Sequence, residues 1–168
     1  MDSFASPGRT EIPESELNDE QGPAATASPV AAASSPTPYQ NEDDRLDFFI
    51  HRDGQTYAGT HLIIDIVDGT RLDEPEHIET SLIHAAEVAG ATVLSSDFHI
   101  FTPNNGVSGV IVLAESHISI HTWPERGFAA LDVFMCGDAQ PMKTIDVLKE
   151  AFSPRHVSLQ EIKRGLQA

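Results

Sequence analysis

The sequence predicts an α+β domain, a two-layer sandwich in which two helices cover one face of a mainly antiparallel sheet. Strand-like runs outnumber helical ones and come largely in succession, in the order β-α-β-β-β-β-α-β. That order leaves too few crossover helices for a doubly wound parallel sheet. The length, 168 residues, suffices for one domain with a proper core and not comfortably for two. A sheet with one uncovered face in so small a domain invites pairing with a second copy.

The first strand is His61-Leu62-Ile63-Ile64-Asp65-Ile66-Val67, closed by the turn signal Asp68-Gly69. Pro75 to Ala89 reads as a helix, because Ile78, Leu82, Ile83, Ala86 and Ala89 recur at helical spacing and Gly90 is placed to stop it. Strand-like runs follow at Ala91 to Phe101, Ser108 to Leu113, His117 to Thr122 and Phe128 to Phe134. Pro141 to Phe152 reads as the second helix, with Ile145, Leu148 and Phe152 on one face and Pro141 near its start, where a missing N–H is tolerated. Pro154 ends it, and His156 to Ile162 is the closing strand. Residues 46 to 58 show no regular pattern and read as a transition into the domain.

Composition divides the chain near residue 45. Before that point lie six prolines, from Pro7 to Pro38, an Ala/Ser/Thr tract from Ala24 to Ser35, and acids such as Asp2, Glu11, Glu20 and Asp43. Such a stretch buries too little apolar surface to offset the entropy of ordering, so residues 1–45 are expected to be a disordered acidic extension and residues 46–168 the folded domain. The net charge of −16 disfavours nucleic acid or an anionic membrane as partner. No window approaches the roughly 18 apolar residues of a membrane span, and the N-terminus carries neither a secretory signal nor a transit peptide. A single cysteine, Cys136, rules out an internal disulfide framework and suits a reducing compartment, so a cytoplasmic location is expected.

The chemistry concentrates in Ala114-Glu115-Ser116-His117-Ile118-Ser119-Ile120-His121-Thr122-Trp123-Pro124-Glu125 and, downstream, Asp132-Val133-Phe134-Met135-Cys136-Gly137-Asp138. A serine, a histidine and a cysteine could equip a hydrolase, but a nucleophile elbow needs glycines beside its serine, and Ser116 is flanked by Glu115 and His117. His117 and His121 are four apart, a ligand spacing on a helix, yet Ile118, Ile120 and Thr122 make the segment a strand; no metal site is expected. Cys136 is either inert packing at a strand end or the lining of a cavity. Ser108, in Gly106-Val107-Ser108-Gly109, is compatible with ordinary turn chemistry and Glu125 with a solvated loop acid. His121 can accept a proton near pH 7 as a neutral imidazole. Ser116 and His121 are five apart, so a regular strand places them on opposite faces. Either the backbone bends between them or they meet from different segments.

These segments closely resemble the self-cleavage region of the short, prokaryotic S-adenosylmethionine decarboxylase proenzymes. The resemblance runs from about Gly59 to Gly165 through Gly59-Thr60-His61-Leu62, Gly90-Ala91-Thr92-Val93, Gly106 to Gly109, Glu115 to Glu125, Asp132 to Gly137 and Arg164-Gly165. It implies cleavage between Glu115 and Ser116 into chains 1–115 and 116–168. The Ser116 hydroxyl would attack the preceding carbonyl to give an ester, elimination would break the chain, and hydrolysis of the resulting dehydroalanine would leave a pyruvoyl group at the new N-terminus. That ketone can form an imine with a substrate α-amine and act as electron sink for the carbanion left by CO2.

By position, the resemblance makes Ser116 the pyruvoyl precursor, His121 the processing base, Cys136 the proton donor in catalysis and Ser108 an aid to processing. Glu125 would bind the substrate's ribose, and Phe101 would stack on its adenine. It further implies S-adenosylmethionine as substrate, decarboxylated toward spermidine, and a homodimer of such chain pairs. One departure lies in Phe101-Thr102-Pro103-Asn104-Asn105-Gly106-Val107-Ser108-Gly109, which carries one residue more than the family pattern. Such a change could accompany a switch of the same pyruvoyl chemistry to ornithine or arginine. A third reading, an unprocessed regulatory subunit, conflicts with the intact Glu115-Ser116, His121 and Cys136.

Overall fold

The computed structural model describes residues 48–167; the extension expected over residues 1–45 and the start of the domain at residue 46 lie outside them. The regular elements are β1 (Ile50–Arg52), β2 (Gln55–Tyr57), β3 (Gly59–Val67), α1 (Pro75–Val88), β4 (Val93–Phe101), β5 (Gly106–Leu113), β6 (Ser116–Trp123), β7 (Phe128–Met135), α2 (Thr144–Phe152) and β8 (His156–Arg164). Short 3-10 turns occupy Pro124–Arg126 and Pro141–Lys143. The second of these takes the place of the first turn expected of the second helix. Pro141 lacks the N–H that would extend the helix backwards, and Thr144 caps the turn by donating its hydroxyl proton to the Pro141 carbonyl at 2.7 Å.

Six strands form one sheet in the order β4-β5-β6-β7-β3-β8, every neighbouring pair antiparallel. Alternation along each strand sorts the side chains into two sets. Leu62, Ile64 and Ile66 of β3, Ile118 and Ile120 of β6, and Leu131 and Val133 of β7 are buried against Ile78, Leu82 and Ala86 of α1 and Ile145, Leu148 and Phe152 of α2. The other set includes His61, Ile63 and Asp65 of β3 with their cross-strand partners Phe134, Asp132 and Ala130. These residues are only partly covered, because both helices lie on the opposite side.

Two regions differ from the pattern read in the sequence. Residues 50–57 form a separate two-stranded hairpin, β1 with β2, turning at Asp53 and Gly54, both with positive φ. Ser116 opens β6 rather than preceding it, pairing with Leu113 across the hairpin.

The glycines around Ser108 have a packing cause. A Cβ on Gly109 would lie 2.1 Å from the ring of Phe98, its cross-strand partner, and one on Gly106 would lie 2.9 Å from the Thr122 carbonyl oxygen. Gly109→Ala is therefore expected to cost about 1–3 kcal/mol through overpacking, read as a lowered denaturation midpoint at unchanged m-value.

Candidate active site

The β5–β6 register pairs Leu113 with Ser116 and leaves Ala114-Glu115 as a two-residue turn. Tight hairpin turns of this length use positive φ at their centre, usually supplied by glycine or asparagine. Here Glu115 takes that role with φ 59°. A non-glycine residue held there stores roughly 1–3 kcal/mol of backbone strain. The strained residue is the one whose carbonyl the Ser116 hydroxyl would attack.

Beside the turn, the Cys136 N–H donates to Ser116 Oγ at 3.1 Å. The Cys136 thiol is free and half-buried. Burial pushes it above its ordinary pKa, the nearby Glu115 carboxylate adds to that, and a hydrogen bond with Ser116 opposes it. Desolvation at the turn also raises Glu115. A thiol kept protonated near neutral pH can give up a proton, which is the role a donor needs.

A second group of site residues lies at the far end of the same strands. Ser108 and His121 are cross-strand partners, and Ser108 Oγ and His121 Nδ1 share a 2.7 Å hydrogen bond. For Nε2 to act as base, Nδ1 must carry the proton and donate it to Ser108, a hydrogen bond the serine oxygen can accept. Both residues line a groove of about 340 Å³ with Phe101, Trp123 and Glu125. Phe101, half exposed, ends β4 and meets the His99 ring edge-on at 4.6 Å. Residues 102–105, where the sequence departs from the pattern expected of the resemblance, form a turn with Asn105 at φ 54°. Glu125 sits in the 3-10 turn after β6, which Gly127 closes at φ 58°. Beneath the groove, buried Thr122 accepts from the Val107 N–H and donates to the Leu72 carbonyl, both at 2.8 Å, which fixes β5 against β6 where Ser108 and His121 project.

The site residues thus form two groups. β6 runs without a break from Ser116 to Trp123, so it does not bend to bring Ser116 to His121. Five residues at about 3.3 Å rise separate the two by about 16 Å. They also differ in parity: Ser116 alternates with buried Ile118 and Ile120, His121 with Ser119 and Trp123 of the open face.

Between the two ends, the open face carries a polar network that sequence reading missed. Arg164 donates to His61 Nδ1 at 3.0 Å, which leaves the proton on Nε2 facing Asp132 Oδ1 at 3.3 Å, and Ser119 donates to Asp132 Oδ2 at 3.3 Å. Its members come from β8, β3, β7 and β6, so no local spacing announces them. Trp123 was also missed, although its two-residue offset from His121 puts it on the same face. Among the described residues no group of three or more His, Cys, Asp or Glu side chains is arranged to hold a metal ion.

Comparison with known proteins shows the family. Residues 60–165 match the S-adenosylmethionine decarboxylase family, and the chain belongs to that family. It is 45% identical over 113 residues to an S-adenosylmethionine decarboxylase proenzyme of Pelotomaculum thermopropionicum, covering 66% of this chain and 89% of that one. A proenzyme of the same description from Acidithiobacillus ferrooxidans is 48% identical over 99 residues, covering 58% of this chain and 74% of the other. The crystal structure of the adenosylmethionine decarboxylase from Aquifex aeolicus superposes with a TM-score of 0.61 at 35% identity, over 67% of this chain and 94% of that one.

In a Ser116→Ala background, which keeps the turn uncut, alkylation of Cys136 by iodoacetamide is expected to rise with pH through a midpoint above that of a free thiol. Adding Glu115→Gln removes one like charge and is expected to move that midpoint down; an unmoved midpoint would mean that the carboxylate does not act on the thiol.

Proposed function

We propose that this chain is a proenzyme that cuts itself between Glu115 and Ser116 and then decarboxylates S-adenosylmethionine with the pyruvoyl group so formed. The observation that carries the reading is the scissile peptide itself: Glu115 strained at a hairpin turn, with Ser116 Oγ held by the amide of the one cysteine. Attack by Ser116 Oγ on the Glu115 carbonyl makes an ester and frees the Ser116 amine, and relaxation of the turn favours the step. A base then removes the Ser116 Cα proton, the Glu115 carboxylate departs with Oγ, and water releases ammonia from the dehydroalanine. His121, oriented by its hydrogen bond with Ser108, is the proton acceptor in this elimination. In the mature enzyme the pyruvoyl ketone supplies the electron sink for loss of CO2. Cys136 returns a proton to the substrate carbon, while Phe101 and Glu125 hold the adenine and ribose in the groove they line with Trp123.

The two ends of β6 do not meet within one copy, which supports a homodimer of cleaved pairs. Two open faces packed about a two-fold axis, with their strands running oppositely, would bring the Ser116–Cys136 end of one copy over the Ser108–His121–Glu125 end of its partner. The partly exposed His61, Phe134, Val110 and Ile63 would then be covered. A reducing compartment such as the cytoplasm keeps Cys136 a thiol. None of the described helices is long and apolar enough to cross a membrane.

Intact mass of the purified protein should show chains 1–115 and 116–168, the second with a pyruvoyl terminus, and Ser116→Ala should remain whole. A panel of S-adenosylmethionine, ornithine and arginine should release CO2 from the first alone; release from either amino acid instead would overturn the substrate assignment.

Co-expression of His121→Ala with Cys136→Ala, each inactive alone, should restore roughly a quarter of the parent activity. Half of a random mixture is then heterodimer, with one complete site of two. No recovery would place each complete site within one copy.

A further inference from the structure

The family match begins at residue 60, yet the residues just before it are built into the domain. Ile50 and Tyr57 face each other across the β1–β2 hairpin and are buried, with 6% and 1% of their surface exposed. The Ala58 N–H donates to the Arg164 carbonyl at 2.8 Å and the Gln167 N–H to the Thr56 carbonyl at 2.9 Å, which stitches the hairpin to the end of β8. Lys163 lies over the Tyr57 ring at 5.1 Å. Gly59 lets the backbone enter β3 where a Cβ would meet the Phe134 ring at 2.7 Å.

From this anchored hairpin the chain reaches the cysteine turn. The Gly137 N–H donates to the Phe48 carbonyl at 3.0 Å, and the Phe48 ring lies 3.6 Å from where a Cβ on Gly137 would stand. Two successive amides of the turn are therefore held from outside it, Cys136 by Ser116 Oγ and Gly137 by Phe48. Self-cleavage consumes the first hold, because Ser116 Oγ leaves with the Glu115 carboxylate. The second survives.

We propose that Phe48, fixed by the 50–57 hairpin, is a positioning residue for Cys136: it keeps the cysteine turn in place once the serine hydroxyl is gone. Phe48 acts through Cys136 and touches no reacting atom. The proposal rests on the reading of Cys136 as proton donor. The half-exposed ring beside Gly137 and the buried Ile50 hold the Phe48 carbonyl where it accepts, so losing either loosens the turn.

The test uses the full chain and its single cysteine. Ser116→Ala removes the hydroxyl hold without cleavage. In that background Phe48→Ala or Ile50→Ala should speed alkylation of Cys136 by iodoacetamide about five-fold, as expected when a turn opens locally more often. In the otherwise native chain the same substitutions should lower kcat about five-fold with KM within about two-fold, and Phe48→Tyr should restore both. Equal alkylation rates in the paired folded proteins would overturn the proposal, as would an unchanged kcat. A purely stabilising hairpin would lower the melting temperature alone, which also counts against it. Should the native chain never cleave, the proposed function falls, while the alkylation pair still decides the role of Phe48.

Discussion

The register of β6 between β5 and β7 is the constraint on which the site depends. Pairing Leu113 with Ser116 leaves two residues for the turn and forces Glu115 into the left-handed region. The same register sets Ser108 opposite His121, and pairing with β7 sets His117 opposite Phe134, so that Ser116 arrives beside Cys136. A slip of one residue would send His121 to the helix face and expose Ile118 and Ile120. The core therefore guards the chemistry: burial of Ile118, Ile120 and Thr122 fixes which residues remain for the open face.

Most of the architecture was legible because its signals are local. Ile78, Leu82 and Ala86 announce α1 by spacing alone, and the succession of strands excludes a parallel sheet. The site residues were legible as types in a distinctive order, and even the opposite parity of Ser116 and His121 could be counted off. The hairpin at residues 50–57 was not: its strands have three residues each, too few for a periodic signal, although Asp53-Gly54 is a recognisable turn pair. The His61–Asp132–Arg164 network escaped for another reason. Its members are 71 and 103 residues from His61, and only the sheet order brings them together.

The electrostatics suit a protein that performs two reactions with one set of groups. Before cleavage, Ser116 binds the Cys136 amide and lowers the thiol's pKa, while burial and Glu115 work against it. The proposed elimination would remove that hydroxyl, and the one influence favouring the thiolate would go with it. The groove at the far end is held independently of that peptide, since Ser108 is bonded to His121, and Thr122 to Val107 and Leu72.

The sheet order also governs what the proposed cut between Glu115 and Ser116 would leave. The first product would hold β1 to β5 together with α1; the second would hold β6, β7 and β8 together with α2. In the sheet these interleave, with β3 of the first product threaded between β7 and β8 of the second and β5 bonded to β6. The helices add a further seam, since α1 packs beside α2. Neither fragment owns a contiguous sheet or a complete core, so neither could fold alone into its present shape. On that proposal the chain must finish folding before it is cut, and afterwards its two halves would stay married by the hydrogen bonds of every shared strand edge.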